Sequence, residues 1–321
     1  MSTTPPLGYI IEEDRTPAQQ RSHENIVNTM QRFQITAAPH RGPVKVQLTK
    51  LWKDSRVVGD VGFAFNRFRQ ITGSCVGAGG GQALFTLGAV QRCLPGGATK
   101  AFIPFWPFNY GRSRAIGGDR GPGEGSLGSW FAQTVAKEGI IGIHEAGLPT
   151  FDRGDGLALT ESQEMAWSDG ASSLVTAFLD EARPHPVGTA APMRSTDDMR
   201  AAILNGYPGT FACDRFIGKA AIVGSGADAV CVGKWDGQGG HQQSFHDYWD
   251  HPTLGPLFGI LNNWSGDTYP ADPGGLPTCA CWVKEVDVAE AMRYHAEVYA
   301  FSHLSWFPAQ PAVLDWSSIL P

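Results

Sequence analysis

Gln70-Ile71-Thr72-Gly73-Ser74-Cys75-Val76-Gly77 is the stretch on which the reading of this chain turns. Its cysteine stands at a loop-to-helix junction, among small residues that leave the sulfur accessible. The partial positive charge of a helix N-terminus favours thiolate, and helix ends with a nearby imidazolium bring a cysteine pKa to about 3.5 to 7.5. Two later stretches offer the partners such a thiol needs. Gly239-Gly240-His241 supplies an imidazole to take and return the proton, and Leu261-Asn262-Asn263-Trp264 supplies an amide to fix its tautomer.

Taken in order, Gln70, Gly73-Ser74-Cys75, Gly239-Gly240-His241 and Asn262-Asn263-Trp264 resemble the papain-like cysteine peptidases, especially their divergent bacterial and viral members. Tyr110, Arg112, the following glycine-rich loop and the helix after Ser126 are similar to that family's left lobe. The segment Met199 to Gly209 is similar to the helix and turn leading into its right lobe. The resemblance covers about Val44 to Trp282 and implies an α+β, two-lobed fold, with a helical left lobe, an antiparallel β-barrel-like right lobe and a cleft between them. It implies Cys75 as nucleophile, His241 as general base and acid, Asn262 as the group orienting His241, and Trp264 as the shield over that contact. Gln70, with the backbone N–H of Cys75, would form the oxyanion hole, worth about 2.7 to 4 kcal/mol per donor. Gly73 and Gly240 would flank the substrate. The implied reaction is hydrolysis of a protein or peptide substrate through a thioester acyl-enzyme, with no cofactor and no metal.

The chain also departs from the family. Gln70 lies one residue closer to Cys75 than the family's glutamine does. His241 is followed by Gln242, Gln243 and Ser244 instead of an apolar strand, and Asn263 is an alternative to Asn262. No long inhibitory propeptide is read. These departures motivate a second reading, in which a papain-like protein serves as a structural or binding component of an assembly such as a phage particle, with the N-terminal arm as its docking strap to assembly partners.

Composition narrows the choice. The chain has 321 residues with 40 Gly, 22 Pro and 10 Trp, and 42% are hydrophobic, enough to bury a sizeable core. The net charge is −6 and no stretch concentrates Lys and Arg, which argues against nucleic-acid binding. The long uncharged window from Gln70 to Gln91 is crowded with Gly73, Gly77, Gly79, Gly80, Gly81 and Gly88, unfit for a lipid-facing helix. No secretory signal is read before Ile11, so the expected location is cytoplasmic or within a virion. The 6 cysteines form no zinc pattern, nor do His241, His246 and His251 by their spacing.

Along the chain, residues 1–43 read as a polar arm or short pro-like segment and 44–321 as the main domain. Its left lobe spans about 60–190, its right lobe about 191–285, and a C-terminal helix about 286–304. A strand is expected over Val44–Leu51 and helices over Val76–Val90, after Ser126 as N-cap, and after Thr196 as N-cap. Strands are expected at Lys219–Val223, Ala229–Lys234, Leu257–Leu261 and Cys279–Lys284. Gly224-Ser225-Gly226-Ala227-Asp228-Ala229 matches a dinucleotide-loop pattern, but the glycines after it favour a hairpin turn. Phe102, Phe105, Trp106, Phe108 and Tyr110 read as lobe core.

Overall fold

The computed structural model describes residues 7–30, 44–62, 64–65, 68–97, 100–143, 146–149, 151–152, 156–157, 159–264, 268–303 and 316. The helices are α1 (Pro17–Thr29), α2 (Ser55–Val61), α3 (Cys75–Cys93), α4 (Trp106–Ile116), α5 (Gly128–Lys137), α6 (Glu161–Trp167), α7 (Ser173–Thr176), α8 (Leu179–Ala182), α9 (Thr196–Leu204) and α10 (Glu285–Ala291). The strands are β1 (Lys45–Gln47), β2 (Phe151–Asp152), β3 (Gly156–Leu157), β4 (Ala190–Pro192), β5 (Gly209–Phe216), β6 (Lys219–Val223), β7 (Val230–Lys234), β8 (Gly237–His251), β9 (Gly255–Leu261), β10 (Ala280–Lys284) and β11 (Glu297–Phe301). The large sheet runs β4-β11-β5-β8-β9-β10-β7-β6, with β1 also on β8. Its pairings are antiparallel except β10 with β7, so the chain is α+β, with most helices early and most strands of the large sheet late.

Helix α3 lies between the two halves, and every residue in it except Arg92 is buried. Its glycines explain how. A Cβ on Gly77 would come within 2.6 Å of the Tyr110 side chain and 2.8 Å of Trp106, and one on Gly79 within 3.3 Å of the β8 backbone at Gln242. One on Gly80 would enter the Phe131 ring. Each interior glycine costs helix stability, roughly 0.5–1 kcal/mol relative to alanine. Here that cost accompanies backbone packed directly against α4, α5 and β8. Phe105, Trp106, Phe108 and Tyr110 are buried core, with Phe102 half-buried against it.

The long strand β8 was not among the expected strands. It runs through the glycines before His241 and the polar residues after it. Gln242 Nε2 donates to Val76 O at 2.8 Å and Ser244 Oγ to Gln82 Oε1 at 2.7 Å. Buried amides and hydroxyls that find partners replace an apolar face.

Other boundaries shift for local reasons. The expected C-terminal helix over 286–304 is only α10; the chain turns at His295, at a φ of +48°, and Val298, Tyr299 and Phe301 enter the sheet as β11. Val44–Leu51 gives the short β1, then a 3-10 helix over Leu48–Lys53. Ser126 does not cap α5: its hydroxyl meets Ser113 Oγ at 2.8 Å, and Glu297 Oε2 takes the N–H of Ser129 at 2.6 Å instead. Ser195, rather than Thr196, caps α9, in a reciprocal box with Asp198. The glycine-rich Gly224–Asp228 segment is the turn of the β6–β7 hairpin.

Candidate active site

The loop before Cys75 is held by carboxylates. Glu164, 1% exposed, accepts from Ile71 N at 3.1 Å, Thr72 N at 3.0 Å and Thr72 Oγ1 at 2.6 Å, and also from Ser74 Oγ. Glu124 accepts from Gly73 N at 2.8 Å. The loop therefore delivers Cys75 to the first turn of α3 in one conformation. Gln70 is buried beside it with its N–H on Asn263 O at 3.0 Å, and its side-chain amide donates to Thr72 O at 2.9 Å.

Across from the loop, β8 and β9 bring the other expected residues together. His241 Nε2 lies 2.9 Å from Asn262 Oδ1. The Trp264 ring stacks on the imidazole with centroids 4.5 Å apart, and Phe216 meets the Trp264 ring edge-on at 5.0 Å. His241 Nδ1 is buried without a hydrogen-bond partner among the described residues. The next residue along β8, Gln242, donates its backbone N–H to Cys75 Sγ at 3.3 Å. Asn262, not Asn263, thus faces the imidazole. Asn263 Nδ2 instead ties Cys75 O at 3.1 Å to Gln242 O at 3.3 Å, stitching α3 to β8.

The N-terminal arm covers this group. Gly8 N and Tyr9 N donate to Gly240 O at 3.3 and 3.2 Å. Ile10 N donates to Ser126 O at 3.1 Å and Ser126 N to Gly8 O at 2.9 Å, so Tyr9 pairs in parallel with Ser126. A Cβ on Gly73 would strike Leu7 O, and one on Gly240 would strike Tyr9 O, so both glycines give the arm its seat. Farther out, Arg15 Nη2 meets Glu297 Oε1 at 2.7 Å, and Tyr9 donates to the same oxygen at 3.0 Å. Helix α1, begun by the Thr16–Gln19 capping box, sets His23 Nδ1 2.9 Å from Ser129 Oγ.

Burial governs the protonation states. Cys75 is fully buried, and burial pushes its thiol up to about 12 against N–H groups of Gln242, Gly8 and Val76 that favour thiolate. Burial likewise pulls His241 down to about 4, opposed by its bond to Asn262. Buried in this way, the Cys75 thiol and the His241 imidazole are both neutral at neutral pH.

No protein-family model matches this chain, and no curated protein matches it. Solved structures do. Xylellain, a cysteine protease from Xylella fastidiosa, is 16% identical, with a TM-score of 0.50 over 94% of this chain and 99% of that one. A procathepsin B from Trypanosoma congolense is 10% identical, with a TM-score of 0.51 over 94% of this chain and 91% of that one. The chain has the papain-like fold.

Sequence reading missed Glu164, Glu297 and Tyr269. Glu164 and Glu297 act on segments far away in the chain, and nothing local marks them. Tyr269, whose hydroxyl meets Asn262 Nδ2 at 2.9 Å, sits in a Pro- and Gly-rich loop that reads as a connection. Among the described residues no helix is long and apolar enough to cross a membrane, and no group of His, Cys, Asp and Glu is gathered to hold a metal ion. His246 is engaged by Thr86 Oγ1 at 2.9 Å and Ser244 Oγ at 2.7 Å.

Proposed function

We propose that the chain is a latent cysteine peptidase, with Cys75 as nucleophile, His241 as proton carrier and Asn262 as its orienting partner. The observation that carries this reading is the His241–Asn262 bond under Trp264, which leaves Nδ1 as the unengaged ring nitrogen, beside the residue that contacts Cys75 Sγ. With Nε2–H donating to Asn262, Nδ1 holds a lone pair and accepts the thiol proton. Sγ then attacks a peptide carbonyl carbon, and the proton passes from Nδ1 to the leaving amine as the C–N bond breaks. Water gives a proton back to Nδ1 while its oxygen attacks the thioester, and the thiol is restored as the acid leaves. The backbone N–H of Cys75 is one oxyanion donor; Gln70 serves as the second once its amide turns from Thr72 O. Substrate enters where Leu7–Ile11 now lies, along Gly73, Ser126 and Gly240.

The second reading, a structural component of an assembly, draws on the same cover: a fully buried Cys75 and a Gln70 amide already engaged. One experiment separates the two. Gly8→Val places side-chain atoms against the backbone of Gly73 and unseats the arm. Epoxide or iodoacetamide labelling of Cys75 in this variant should rise at least about ten-fold over the intact chain, the equivalent of roughly 1.4 kcal/mol of arm docking. Hydrolysis of an unfolded protein substrate should appear with it and vanish in Cys75→Ala. An unseated arm with Cys75 still inert favours the structural reading.

A further inference from the structure

Asn262 can orient His241 only if its amide oxygen, not its nitrogen, faces the ring, and the hydrogen-bond chain behind Asn262 decides which. Tyr269, 5% exposed, is at its end. Its hydroxyl lies 2.6 Å from Ile217 O and 2.9 Å from Asn262 Nδ2. A phenol has one proton to give, and a backbone carbonyl only accepts. The Tyr269 proton is therefore committed to Ile217 O, and toward Asn262 the same oxygen can only accept. Asn262 must present its NH2 to Tyr269 and its oxygen to the other side. There the oxygen receives Asn263 N at 2.8 Å and His241 Nε2 at 2.9 Å. The proton of neutral His241 is thereby fixed on Nε2.

We infer that Tyr269 is a positioning residue which, through Asn262, fixes the tautomer of His241 so that Nδ1 is left as the base for Cys75. This rests on the peptidase reading for its catalytic meaning, but the tautomer itself does not. The Asn263 N–H opposes an amide flip from one end; Tyr269 opposes it from the other, and only the second contact is made by a side chain. The acceptor that polarises the chain is next to Phe216, whose ring closes over Trp264, so the end of β5 serves both the cover and the proton order.

The test uses the full chain with 15N-labelled histidine and a long-range 15N–1H spectrum at neutral pH. In the unmodified chain His241 should be the Nε2–H tautomer, with Nδ1 unprotonated; finding Nδ1–H overturns the inference without any variant. Tyr269→Phe removes one oxygen, leaving the Asn262 amide unpaired on that side, and should give a mixture of both tautomers. In Asn262→Asp, whose carboxylate only accepts, the further change Tyr269→Phe should leave the tautomer at Nε2–H. A merely structural Tyr269 would leave the tautomer untouched in both backgrounds, which sinks the proposal. In the Gly8→Val background, Tyr269→Phe should slow Cys75 alkylation about ten-fold, as an unsatisfied buried amide would. Should Cys75 resist alkylation throughout, the peptidase reading fails while the spectra still decide the tautomer.

Discussion

Burial sets the proton on Cys75 and His241 as long as the arm is seated. A thiol raised to about 12 becomes thiolate only in strong alkali, and an imidazole lowered to about 4 protonates only in acid, so between those values both stay neutral. On the proposed reading, unseating the arm lets water reach both groups. The thiol pKa then falls, the imidazole pKa rises, and each charge stabilises the other. The alkylation rate of the intact chain should therefore climb only toward alkaline pH, whereas Gly8→Val should show appreciable rate at neutral pH; rate against pH, followed by intact mass, checks it. Cys75, His241 and Asn262 were readable as three short stretches because the resemblance lies in particular residue types following one another in a fixed order. Glu164 and Tyr269 were not readable, since they act through bonds to backbone, hydroxyl or amide groups that only the fold brings near.

Among the elements, α3 and the α1 latch make separable predictions. Gly77→Ala should destabilise by about 1–3 kcal/mol, because the methyl overpacks against Trp106 and Tyr110. Gly59→Ala in α2, where nothing lies within 4 Å of the added carbon, should be neutral or stabilise by up to about 1 kcal/mol. Urea midpoints of the two variants check both signs. Glu297→Gln leaves Arg15 buried without its counter-charge, the two side chains being only 3% and 4% exposed. It should cost about 3 kcal/mol and open residues 7–29 to limited proteolysis. The β6–β7 hairpin was legible to the residue at β6, because Gly and Ser punctuate two short apolar runs. β11 was taken for helix because Glu297-Val298-Tyr299-Ala300-Phe301 is buried throughout and shows no strand alternation.

For the molecule as a whole, arm docking is linked to acid. His23 docks half-buried, and burial lowers its pKa, outweighing the raising effect of Glu297, Glu12 and Glu24, while Arg15 lowers it further. A released His23 has its ordinary pKa, so protons favour the released arm. Docking should be constant above about pH 6.5 and weaken as pH falls through that value, by no more than about ten-fold per unit for one proton. Protease sensitivity of the arm against pH, with His23→Gln as a flat control, measures it. Two lobes could be expected from helices early and strands late, but the arm's path between Ser126 and Gly240 could not, since its pairing there runs through backbone N–H and C=O groups, which leave no mark in the sequence.

On the peptidase reading, the arm's covalent attachment also bears on how ligands for the covered site would be found. A tethered segment competes at an effective concentration in the range of about a millimolar. A screen on the intact chain would therefore rank compounds by their power to evict Leu7–Ile11, and good ligands of modest affinity would be lost. The same library against Gly8→Val should reorder, and the size of the reordering would report what the tether contributes.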